Sequence, residues 1–208
     1  MSSDDKVEES GWTALTRENP DHSNWYVERF RSMAAAGDDL AGEARLADAM
    51  VGRGARILDA GCGPGRVGAA LHSVGHAVVG VDVDPVLIAA AEEDHPGPRW
   101  VVSDLATLDL PAQGIEEPFD LIVSAGNVIA FLAPSTRVRV LEGLRTHLAP
   151  EGRIVAGFGS GRGYEFDEFR ADVATAGLRV DLALESWDVR PFTDESGFLV
   201  AVLSSSST

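Results

Sequence analysis

The sequence predicts an α/β fold on a parallel sheet, and three observations predict it. Short apolar runs alternate with helical patterns along most of the chain. One of these runs, beginning at Ile57 and Leu58, stops at Asp59 and breaks into Gly61, Gly63 and Gly65 on alternate positions. Four successive runs end in acidic or small residues: Asp59, Asp82, Asp104, and Ser124 with Gly126.

Taken in order, residues 1–23 carry no period and are expected to be mobile. Trp25, Tyr26, Phe30 and Met33 predict a first helix that ends near Gly37. Leu40, Ala44, Ala47, Met50 and Val51 predict a second, with Asp38 or Asp39 as cap and Gly52 as stop. After the glycine loop, Val67, Ala70, Leu71 and Val74 recur at the spacing of one buried helical face, and Gly75 ends it. Glycine reaches positive φ without steric cost, and the free N–H groups of such a turn are expected to face outward, towards a nucleotide-like ligand.

A second strand runs from Ala77 to Val81, and Asp84 and Pro85 open a helix that His95 and Pro96 stop. Trp100 to Ser103 form a third strand, and Phe119 to Val123 a fourth after a turn-rich stretch. A helix opened by Pro134 carries Val138, Leu141, Leu144 and Leu148 to a turn at Pro150, Glu151 and Gly152, and Arg153 to Phe158 make the fifth strand. A helix from Phe166 to Leu178 precedes two extended runs, Arg179 to Trp187 and Phe198 to Leu203, whose polar connection predicts an antiparallel hairpin. The Ser-rich tail from Ser204 is expected to fray.

Composition narrows the function. A chain of 208 residues, 45% hydrophobic, suffices for one domain over 1–208, with residues 24–52 as N-terminal helices and 53–203 as core. With 17 basic and 33 acidic residues the formal charge is −16, which repels a phosphate backbone, so nucleic acid is excluded as substrate. There is no membrane-length apolar run and no signal peptide, so a cytoplasmic protein without membrane attachment is expected. The single Cys62 can form no disulfide within the chain.

In an open parallel sheet the four strand ends lie on one edge, where strand order reverses and ligands bind. Two ligand classes fit. Gly63, Gly65 and Gly68 spell G-x-G-x-x-G, and Asp82 follows Gly63 by 19 residues, as in the dinucleotide fingerprint. Against a pyrophosphate stands Asp59, two residues before Gly61, where a ligand with a cationic group would use it. Asp104 offers an acceptor for the amino protons of an adenine.

The blocks DAGCGPG, GVDVDP, SDL, FDLIVSAGNV and LAPEGRIV, in this order over residues 55–160, resemble the motif series of class I S-adenosylmethionine-dependent methyltransferases, of the small-molecule type. The resemblance implies a Rossmann-like three-layer sandwich whose seven-stranded, mostly parallel sheet ends in a C-terminal antiparallel hairpin, preceded by two N-terminal helices. It implies S-adenosylmethionine as cofactor. Asp59, Gly61, Cys62 and Gly63 match the loop under the methionine part and ribose, with Asp59 oriented to the amino group. Asp82 matches the acid that takes both ribose hydroxyls, and Val83 its apolar neighbour beside the adenine. Asp104 and Leu105 match the adenine-reading pair, and Ser124, Ala125 and Gly126 the stretch that passes the methionine end.

The chemistry implied is in-line displacement at a sulfonium, for which the protein positions a nucleophile and excludes water. The segment SAGNV lacks the Asn/Asp-Pro-Pro-aromatic signature of enzymes acting on amide or base nitrogens. No metal is expected, and His72 and His76 read as surface residues. The acceptor, a small molecule, is expected between the N-terminal helices, the segment after Asn127 and the loop before the last strand. Trp25, Tyr26 and Arg29 are candidates for a lid, although Trp25 and Phe30 fit packing better. Arg29 or Arg31 could meet an anionic substrate or pair with acids; Asn127, Tyr164, Trp187, Arg190 and His22 complete the candidates, and no catalytic base is assigned. A nicotinamide-dependent oxidoreductase and a non-catalytic cofactor binder are the alternatives.

Overall fold

The computed structural model describes residues 7–206. Its seven strands are β1 (Arg56–Ala60), β2 (Ala77–Asp82), β3 (Arg99–Val102), β4 (Phe119–Ser124), β5 (Leu148–Gly159), β6 (Leu178–Leu184) and β7 (Phe198–Ser205). They form one sheet in the order β3-β2-β1-β4-β5-β7-β6. β1 pairs in parallel with both β2 and β4, so strand order reverses beside it and opens a crevice at the strand ends. β7 inserts between β5 and β6, antiparallel to both.

The helices are α1 (Gly11–Glu18), α2 (His22–Ala35), α3 (Gly42–Ala49), α4 (Arg66–Ser73), α5 (Pro85–Asp94), α6 (Arg137–Thr146) and α7 (Phe166–Thr175). Leu141 and Leu144 of α6 and Phe169 and Val173 of α7 join Leu58, Ile122 and Ile154 in a core on one face of the sheet. On the other face, Ala44 and Ala47 of α3 and Val67 and Leu71 of α4 cover Ile57, Leu121 and Val155. Covering both faces explains why these strands are continuous apolar runs, not alternating ones. α5 starts as its sequence predicts, with the Asp84 carboxylate accepting from Val86 N–H and Pro85 in the first turn.

Four sequence expectations need correction. Residues 11–18, expected to lack order, form α1, capped by Ser10, whose hydroxyl accepts from Thr13 N–H at 3.1 Å; residues 1–6 of the same expectation lie outside the described residues. Neither Asp38 nor Asp39 caps α3, because Ala41 holds that position and Asp39 instead grips Arg45. The expected turn at Pro150–Gly152 lies inside β5, where an irregular register against β4 absorbs it. Gly152 permits this, since a Cβ there would stand 2.7 Å from the Phe119 carbonyl oxygen. The tail pairs through Ser205, opposite Leu178, before it leaves the sheet.

Candidate functional site

The crevice at the strand ends is a cleft of about 650 Å³, roofed by α1 and α2. Asp59, Gly61, Cys62, Gly63, Asp82, Val83, Asp104, Leu105, Ala125 and Gly126 all line it. Ser124 does not. As the last residue of β4 it is enclosed, its hydroxyl has no partner among the described residues, and the chain reaches the cleft only at Ala125.

The glycine loop turns its N–H groups inward, contrary to expectation. Gly61 and Cys62 N–H donate to the Val81 carbonyl at 2.8 and 2.9 Å, Gly65 N–H to that of Cys62 at 3.1 Å. Gly63 N–H donates to Asp82 Oδ2 and Gly68 N–H to Asp59 Oδ2, each at 2.8 Å. These donors hold the loop to β1 and β2, and what this part of the cleft offers a ligand is chiefly carboxylate acceptors. Gly61 itself is required, because its φ is +79° and a Cβ would overlap the Val128 side chain. Gly65 and Gly68 abut Trp100 and do not line the cleft, so the G-x-G-x-x-G spacing serves helix packing here.

The carboxylates differ in setting. Asp59 is 1% exposed, and burial pushes its carboxyl up to about 7, with Gly68 N–H and the Arg66 charge working the other way. Asp82 also accepts Asp84 N–H, at 3.0 Å, and burial raises it to about 6. Each oxygen keeps a lone pair for a second donor. Asp104 caps a short 3₁₀ turn through Oδ1, which takes Ala106 N–H at 2.8 Å. Cys62 is buried, and burial, then Asp59 and Asp82, push its thiol well above the usual range, leaving a small neutral side chain.

The roof is anchored to the same loop. Trp12 Nε1 and the Ser23 hydroxyl both donate to Asp84 Oδ2, at 2.9 and 2.5 Å, which ties α1 and α2 to the turn after Asp82. Tyr26 reaches down between Gly63 and Gly126, 3.7 and 4.0 Å from where their Cβ atoms would be. Arg66 pairs with Glu43 and lies under Phe30.

A methyltransferase domain profile matches residues 57–152. The crystal structure of a TehB-like SAM-dependent methyltransferase from Corynebacterium glutamicum is 51% identical and superposes with a TM-score of 0.85 over 90% of this chain and 100% of that one. The chain belongs to the S-adenosylmethionine-dependent methyltransferases. Ribosomal protein L11 methyltransferase of Symbiobacterium thermophilum is 40% identical over 54% of this chain and 34% of its own. Magnesium-protoporphyrin O-methyltransferase of Rhodobacter capsulatus is 37% identical over 50% and 46% respectively. The methyltransferase thus spans about a third to a half of the length of these curated relatives.

The remaining candidates of this methyltransferase separate cleanly. His22, Trp25, Arg29, Asn127 and Trp187 line the cleft, with Trp25 54% exposed there and not packed down as expected. Tyr164 is fully buried in the core, bonded to Asp172. Arg190 pairs with Asp188, and Arg31 with Asp94, joining α2 to α5 away from the cleft. His76, expected at the surface, is 2% exposed and bonded to Asp48 at 2.9 Å.

Sequence reasoning missed Trp12, Phe131, Arg162 and Phe198 in the lining. For Trp12 a signal existed, since Ser10 precedes a Trp and Leu spaced by three. No spacing marks the other three.

Proposed function

We propose that this methyltransferase transfers a methyl group from S-adenosylmethionine to a small-molecule acceptor by in-line displacement. The observation that carries the proposal is the carboxylate-lined half of the cleft, where loop N–H groups are spent internally. That half suits a ligand rich in hydroxyl and amine donors and opposes a pyrophosphate, which would need those N–H groups.

Asp82 accepts the ribose hydroxyls with its free lone pairs, and Asp59 faces the amino group of the methionine part. Asp104 accepts the adenine amine, Leu105 supplies the neighbouring backbone donor and Val83 lies beside the ring. Gly61, Cys62 and Gly63 give close backbone approach, while Ala125 and Gly126 border the methionine end. The cofactor, when bound, supplies the methyl group on a sulfonium, already a good leaving group. The chain's part is to hold the acceptor on line and keep water out, which Trp12, Tyr26 and Phe131 in the roof support.

Several facts favour a small acceptor. The cleft volume of about 650 Å³ is of small-molecule size, and the formal charge of −16 disfavours nucleic acid. No helix of the described residues is long and apolar enough to cross a membrane; with the single, buried Cys62, this supports action in the cytoplasm. Incubation with S-adenosylmethionine and a panel of small acceptors should yield S-adenosylhomocysteine. Firm cofactor binding without turnover of any acceptor would favour the non-catalytic reading.

A further inference from the structure

Beyond β4 the cleft changes character. Among its lining residues from Ala125 onward, Arg162 is the one charged side chain. Ten arginines form ion pairs with Asp or Glu among the described residues, and Arg162 is not one of them, in a chain of 33 acidic and 17 basic residues. An unpaired guanidinium facing a cleft in so acidic a protein is available to an anion from outside.

A neutral donor stands beside it. Asn127 Oδ1 accepts from Gly159 N–H at 2.8 Å, which settles the amide's orientation and leaves Nδ2 without an acceptor among the described residues. Arg162 Nε and Asn127 Oδ1 lie 3.5 and 3.6 Å from the position a Gly159 Cβ would take, so the two groups are neighbours. Next to them is an aromatic wall. Gly157 has no side chain, and in the space above it Trp187 meets Phe198, whose ring edge is 3.2 Å from the absent Cβ.

The backbone is strained at both ends of this arrangement. Asn127, with φ 66°, and Val189, with φ 63° in the turn that presents Trp187, are the only non-glycine residues of positive φ among those described. Such outliers persist where the surrounding structure over-determines them, and they cluster at ligand sites.

We propose that this half of the cleft recognises an aromatic carboxylate: Arg162 and the Asn127 amide hold the carboxylate, and the ring lies against Trp187 and Phe198. The proposal rests on the methyltransferase reading and names the chemical class of its acceptor. A planar guanidinium matches a carboxylate in a two-point fork, and no lining carboxylate on this side opposes it. A cationic acceptor would find no counter-charge here, and an uncharged one would gain nothing from the charge of Arg162, which is exposed and hydrated without a ligand.

Calorimetric titration of the full chain saturated with S-adenosylhomocysteine tests this, with benzoate, 4-hydroxybenzoate, benzamide and inorganic phosphate as probes. The carboxylates should bind at least about tenfold more tightly than benzamide or phosphate, and R162Q should lose about tenfold in carboxylate affinity. R162K should recover part of that loss, and both variants should bind S-adenosylhomocysteine within about twofold of the parent, since Arg162 makes no hydrogen bond or ion pair with the carboxylates that line the other half. Benzamide binding as well as benzoate, phosphate binding best, an unchanged R162Q, or no carboxylate binding to a protein that holds S-adenosylhomocysteine would each overturn the proposal. Failure to bind S-adenosylhomocysteine at all would instead overturn the methyltransferase reading beneath it.

Discussion

In the half of the cleft over β1, β2 and β3, three strand ends present Asp59, Asp82 and Asp104, and a hydrogen-bonded glycine loop fixes two of them. In the half beyond β4, loops present Asn127, Arg162 and Trp187, the lining carries no carboxylate, and strained backbone holds the turns. One half is acceptor-rich and built on regular elements; the other is donor-rich and built on connections. On the reading proposed above, the difference would separate a site for the common cofactor, tied to the frame of the sheet, from a site for the particular acceptor, tied to connections that can change without disturbing that frame.

The heaviest loss should fall on the first half. Asp82→Ala should weaken S-adenosylhomocysteine binding by on the order of 2 kcal/mol or more, since two hydroxyl donors lose a charged acceptor. Carboxylate probes of the second half should bind the variant as they bind the parent. An unchanged cofactor dissociation constant would remove the ribose assignment and, with it, the division of the cleft.

A weaker effect enters through pH. Burial raises Asp59 from 3.8 to about 7 and Asp82 from 3.8 to about 6, so the folded state holds these protons more tightly than the unfolded chain. The stability they contribute is fully present below the unfolded value and is lost as pH rises through about 6 to 7. The Tm of the ligand-free protein should therefore fall as pH rises from 3.8 to about 7, with the share of Asp82 complete at about 6, and level off above. Affinity for the cofactor should move oppositely, because its amino group favours ionised Asp59. Asp59→Asn keeps an acceptor for Gly68 N–H and should flatten the affinity profile and shrink the Tm fall to the share of Asp82, which ends at about 6; a Tm profile identical to the parent's would locate the titration elsewhere.

The same contrast sets what the sequence alone reveals. The strands, the glycine loop and the acids at their ends were legible because each signal is local: an apolar run, a breaker, a cap. The Asp84–Pro85 helix start is one such signal, and the structure bears it out. The direction in which the loop's N–H groups point was not legible, since it depends on β2 lying beside β1. Nor was Arg162, which approaches Asn127 only because β5 carries Gly159 past the end of β4. Ser124 shows the limit of motif matching, for one residue at a strand end separates an enclosed side chain from one in the cleft.

The carboxylate-lined half is proposed to take S-adenosylmethionine and not a pyrophosphate-bearing dinucleotide. Side-by-side calorimetric titration of the protein with S-adenosylmethionine, S-adenosylhomocysteine, NADH and NADPH decides between them. Saturable binding of the first two, with none of the nicotinamides, is the predicted result. Binding of a nicotinamide alone would contradict it, and would mean that Gly63, Gly65 and Gly68 release the N–H groups the loop now holds.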